Sequence, residues 1–217
     1  MRKLIYVLVA IVALGTASCS KSMSQYDKEI DQAEKMMLSN PDSALSMLDA
    51  IDASELKIDS LWAKYHFIKG YGHLKRNRSM IGDSLIIYAH DYYRGKNLVR
   101  DIRSGIVLAW YKFWVGDTPG AMTMLDSLAG LPDVPDSLMT QTLRIRVMLG
   151  ASEYQGQQLI PYAKKLHELE TDSLRKIEAN YMLLTAYEYA GETDSALYLL
   201  DQLVDYARNH NLSLIHI

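Results

Sequence analysis

The chain has one cysteine, two phenylalanines and five prolines in 217 residues, and its scarcities exclude several kinds of protein. With Cys19 alone, no intramolecular disulfide can form and no metal site can draw on two thiolates, so stability has to come from packing. Positive charge is not in excess. The formal net charge is −3, and removing residues 1–18, with Arg2 and Lys3, takes it to −5, which leaves no basic field for nucleic acid. The six histidines form no His-x-x-x-His pair, and no glycine-rich phosphate loop is present, since Gly70-Tyr71-Gly72 falls inside a helical pattern and lacks the remaining fingerprint. The 26 carboxylates sit at caps and exposed faces, with no pair at a spacing that makes one acid and one base. Serines in Asp-Ser pairs read as helix caps, and none stands in a nucleophile elbow. These absences argue against an enzyme, a bound cofactor and a metal centre. Helical carbohydrate-binding or glycan-processing activity stays open, because carboxylates can gather from several helices.

One long apolar run is present, Leu4 to Gly15, after the basic start Met1-Arg2-Lys3 and before the small residues Thr16-Ala17-Ser18. That is the layout of a cleaved secretory signal, and the run is shorter than the about 20 residues a spanning helix needs. Because Cys19 follows the small residues directly, the segment resembles a bacterial lipobox, although Thr16 stands where leucine is usual. The resemblance implies a lipid on Cys19, a signal peptide over 1–18 and a tether over 19–23. It also implies an outer-membrane lipoprotein facing the periplasm, since no Asp follows the cysteine as a retention signal. An ordinary secretory signal with a chance cysteine is the alternative.

Beyond the tether the sequence repeats itself. Asp42-Ser43-Ala44-Leu45-Ser46-Met47-Leu48-Asp49 returns as Asp194-Ser195-Ala196-Leu197-Tyr198-Leu199-Leu200-Asp201, with Ala121-Met122-Thr123-Met124-Leu125-Asp126 between them. Leu85 to Ala89 and Leu159 to Ala163 fall midway with large and small residues exchanged, so anchors stand at 44, 85, 121, 159 and 196, close to a 34-residue helical-hairpin period. Apolar spacing predicts first helices at 24–38, 57–76, 98–115, 137–149 and 173–190. Second helices are predicted at 42–51, 83–94, 119–129, 156–169 and 194–209. Pro161 should kink its helix or move its start to about 160. No stretch alternates like a strand.

Over 24–211 the chain resembles the tetratricopeptide (TPR) family. The match is carried by Leu108, Ala109, Gly116, Asp117, Ala121 and Leu125 in the third repeat, and by Leu183, Tyr187, Gly191, Ala196 and Leu200 in the fifth. Lys112 and Leu184 depart from the family pattern. With the lipobox and the Asp-Ser-Ala-Leu hairpins, the chain looks like TPR lipoproteins common in Bacteroidota. The resemblance implies an all-α, right-handed α-solenoid of about five hairpins. Ala121 and Ala196 would let paired helices approach closely, while Leu125 and Leu200 would reach the next hairpin. It further implies an envelope scaffold that binds an unidentified protein or peptide. A sensory module ahead of a membrane span and output segment is the runner-up, because Leu212 to Ile217 resembles a translated sequencing adapter and the gene is expected to continue.

On the TPR alignment, His66, Lys69, His73 and Arg76 form one stripe that should face the concave groove, joined there by Arg103, Ile106, Trp110 and Phe113. Glu178, Tyr181, Thr185 and Glu188 would form an acidic end. Such a groove could hold a peptide, binding an anionic one more tightly as pH falls through about 6.5. The same residues also fit a solvated charged face with aromatics in the inter-repeat core.

Overall fold

The computed structural model describes residues 21–153 and 156–210. The signal-like segment, Cys19 and the segment 212–217 lie outside them. Ten α-helices follow in order: α1 Met23–Met36, α2 Pro41–Asp49, α3 Asp59–Lys75, α4 Leu85–Tyr93, α5 Leu98–Trp114, α6 Thr118–Ala129, α7 Asp136–Ser152, α8 Gly156–Leu169, α9 Ser173–Ala190 and α10 Thr193–Asn209. A single 3₁₀ turn, Ala53–Glu55, precedes α3, and no strand occurs among the described residues. All ten expected helices are present as five hairpins, so the fold is the expected TPR-like solenoid.

Local chemistry sets the helix ends. Asn40, Asn97, Asp117 and Asp172 each accept a hydrogen bond from the backbone N–H three residues on, and Pro41 and Pro119 occupy first turns. The Asp-Ser pairs are weaker caps than expected: α3, α4 and α10 begin without a side-chain cap bond. Gly116 and Gly191 end the first helices of the third and fifth hairpins at φ +86° and +74°, where a Cβ would be strained. Helix α8 starts at Gly156 and runs through Pro161, so the proline removes one ladder bond without delaying the helix.

Each first helix packs against its own second helix and against the first helices on either side. Mutual contact of the first helices draws them together on the inside of the curve and leaves α2, α4, α6, α8 and α10 outside. Small residues make the crossings close. Ala44, Ala89, Ala121 and Ala163 are fully buried and Ala196 nearly so. Gly70 and Gly72 sit within α3 because a Cβ at 72 would come 2.7 Å from Leu45, and one at 70 would come 2.7 Å from Val107.

The expected inward place of Leu200 changes. Leu200 is 41% exposed, and α10 turns Leu199 and Leu203 inward instead, since no described hairpin follows to cover Leu200. Leu85 is likewise 41% exposed, with Ile86 and Ala89 taking the inward places. Helix α3 has no single apolar face. Leu61, Ala63, Tyr65, Phe67, Ile68 and Tyr71 are all buried, because neighbours surround the helix on most sides.

Candidate ligand-binding groove

Among the described residues the inner face is built from the first helices and the turns that follow them. At its centre α3, α5 and α7 enclose a pocket of about 300 Å³. Tyr71, Leu74 and Lys75 come from α3, with Asn77 just beyond its end; Arg103, Ile106 and Trp110 come from α5; Gln141, Arg144, Ile145 and Met148 come from α7. The floor is apolar, and Trp110 is fixed in it by donating its indole N–H to the Arg78 carbonyl at 3.3 Å. Phe113 stacks on Trp110 at 5.8 Å between centroids, and Trp114 meets both edge-on.

The lining contains three cations and no carboxylate. Arg144 is committed, donating to Glu178 and Glu170 at 2.6 Å each. Arg103 and Lys75 carry no ion pair among the described residues, and both lie over the Tyr71 ring, at 5.6 and 5.4 Å. The Arg103 Nε is buried without an acceptor. A second hollow shares Tyr71 and Arg103 and is lined by Asp31, Glu34, Lys35, Leu38 and Phe67. Its acids are already spoken for: Arg100 grips Glu34 with two hydrogen bonds at 2.7 and 2.8 Å, and Lys64 lies 2.5 Å from Asp31.

The predicted stripe splits from the predicted aromatic pair. Arg103, Ile106 and Trp110 line the pocket, but His66, Lys69, His73 and Arg76 do not. Lys69 pairs with Asp49 at 2.8 Å and Arg76 with Asp42 at 3.1 Å, both on α2. His73 lies 2.8 Å from Asp83 in the loop before α4. His66 packs against the rings of Trp62 and Tyr65, at 4.6 and 4.9 Å. At 100° per residue, Tyr71 lies about 140° round α3 from His66, so the stripe faces the second helices while Tyr71 and Lys75 face the groove. Burial, reinforced by the Lys69 charge, pushes the His66 imidazole down to about 4. This removes the basis for tighter anion binding at the pocket below pH 6.5, because neither His66 nor His73 lines it and His66 stays neutral down to about 4. At the far end Glu178 is held by Arg144, and Tyr181 is 53% exposed.

The sequence reading missed Tyr71, Lys75, Gln141, Ile145 and Met148. For α7, the weak repeat match of the fourth hairpin supplied no register; for α3, Tyr71 was readable only as part of a Gly-Tyr-Gly string.

Paired helices, an inner wall of first helices and the small residues at each crossing define a TPR-like helical-repeat protein. No protein-family model matches the sequence, and no curated protein does. A solved structure does match: repeats described as nearly identical and TPR-like, assigned to a kinesin light chain of Podosopora anserina, superpose with a TM-score of 0.67 at 12% identity. The match covers 88% of this chain and 98% of that one, and at such identity the likeness is one of fold.

Proposed function

We propose that the protein is a membrane-anchored scaffold for protein–protein contacts in the cell envelope, acting by binding and not by catalysis. The observation that carries this reading is the continuous inner face of five first helices, a shape that offers an extended surface to a partner. Leu38 at one end of that face is 72% exposed and Tyr181 at the other 53%, which gives a partner apolar footholds outside the central pocket. Capture of envelope proteins by the wild type is expected to fall sharply in Leu38→Ser/Tyr181→Ser at unchanged circular dichroism. Equal capture of the same partners by both forms would refute the scaffold reading for this face.

The anchoring half of the reading rests on the lipobox-like sequence ending at Cys19. Lipid on Cys19 would place the array at the outer membrane, facing the periplasm, with more than one acyl chain giving stable attachment. Cys19→Ala should move the protein from the detergent phase to the aqueous phase in phase partitioning. Identical partitioning of the two forms would remove the anchor.

A further inference from the structure

We infer that the central pocket is a site for a small organic acid, a monocarboxylate carrying an aromatic or branched apolar body, whose carboxylate pairs with Arg103. This goes beyond the scaffold reading and requires no protein partner.

Charge is the first ground. In a chain of net charge −3, this pocket is lined by three cations and no acid, and of the three only Arg144 has its carboxylates. Arg103 could have been neutralised from the adjoining hollow, but Glu34 is taken by Arg100 and Asp31 by Lys64. A guanidinium with a buried, unaccepted Nε and no counter-ion among the described residues is incompletely satisfied. A ligand carboxylate accepting from the terminal N–H groups of Arg103 would supply the missing counter-charge.

Shape is the second ground. The volume of about 300 Å³ stands at the lower end of small-molecule sites. Its apolar floor of Ile106, Trp110, Ile145 and Met148 matches a compact hydrophobic body. The features that attract an anion do not run on along the face. Towards α1 the surface carries the paired acids Asp31 and Glu34, and towards α9 it carries the Arg144–Glu178 bridge. Unpaired positive charge and open apolar surface coincide at this pocket, which suits one compact ligand better than a long acidic chain.

The test is calorimetric titration of the purified protein with 3-phenylpropionate, 4-methylpentanoate and, as a neutral match, 3-phenylpropanamide. At least one acid should bind, and 3-phenylpropanamide should bind at least tenfold more weakly than 3-phenylpropionate. Arg103→Gln should weaken the acid at least tenfold and leave the amide unchanged, while Arg103→Lys should restore part of the affinity. Met148→Glu, which places a carboxylate in the pocket from a half-buried position, should abolish acid binding with circular dichroism intact. Equal affinity for acid and amide, or indifference to Arg103→Gln, overturns the proposal. So does failure of every acid at millimolar concentration, including the case where an acidic peptide binds through Arg103 and the free acids do not. Because Leu38 and Tyr181 lie outside this pocket, loss of the scaffold reading and loss of this one are separately visible.

Discussion

Arg146 is only 4% exposed, an expensive place for a permanent charge. Its Nε donates to Asp126 at 2.8 Å, and its guanidinium lies 4.5 Å from the centre of the Tyr162 ring. The carboxylate is the more exposed partner, at 40% for its side chain against 5% for the arginine, so the two deletions should be unequal. Asp126→Ala strands a buried guanidinium and should cost about 1–3 kcal/mol in urea denaturation. Arg146→Met fills the same space with an apolar chain and should cost less. A second residue-scale prediction concerns pH. Burial pushes the imidazoles of His66, His90 and His167 below their ordinary value, His66 to about 4. The unfolded chain takes up protons near pH 6.5 while the folded His66 resists until about 4, so stability should decline as pH falls through that window. Thermal melting at pH 7.5, 5.5 and 4.5 reads the decline, and His66→Leu should flatten it. A melting temperature that stays level from 7.5 to 4.5 in the wild type would contradict the assignment.

At the scale of the hairpin, closeness of two helices depends on one small residue per crossing. Ala121 is fully buried and Ala196 is 7% exposed, each near the start of a second helix where it meets the first. Leucine at either position has to push helices apart or adopt a poor rotamer, and should cost about 1–3 kcal/mol. Ala121→Leu should be the worse, because it lies between α5 and α7 while α10 is flanked by α9 alone among the described helices. Unchanged melting for both variants would mean these positions are not crossings at all.

Over the whole molecule, α7 is a shared wall. Leu138 and Leu149 join the core that runs back to α1, Val147 belongs to the one that runs on to α10, and Leu143 packs in a small cluster with Met139, Leu166 and Ala179. Contacts in a repeat array pass only between neighbours, so weakening this wall should loosen the far hairpins before the near ones. All three tryptophans, at 62, 110 and 114, lie in α3 and α5, whereas circular dichroism reads every helix. Leu143→Ala should cost about 2–5 kcal/mol and separate the two signals, with ellipticity falling at lower urea than tryptophan fluorescence. Coincident curves in the variant would show that the array melts as one unit.

Sequence alone determined the number of helices, their order and the hairpin pairing. Helix caps, positive-φ glycines and the recurrence of Asp-Ser-Ala-Leu are local signals that need no distant partner to act. Ala121, Ala196 and Leu125 were legible as core for the same reason, since their spacing repeats. The groove was only half legible. Arg103, Ile106 and Trp110 lie on α5, the helix with the clearest repeat match, and their register carried over. His66, Lys69, His73 and Arg76 were misplaced because α3 is buried nearly all round, so no amphipathic stripe marked which side looked inward. Which side that is depends on α2 and α5 packing against α3 at Gly72 and Gly70. Whether a cation there is free or spent depends on carboxylates brought from other helices: Glu34 reaches Arg100 across 66 residues of chain, and Glu178 reaches Arg144 across 34. Only the tertiary structure makes those pairs, and by making them it leaves Arg103 without one among the described residues.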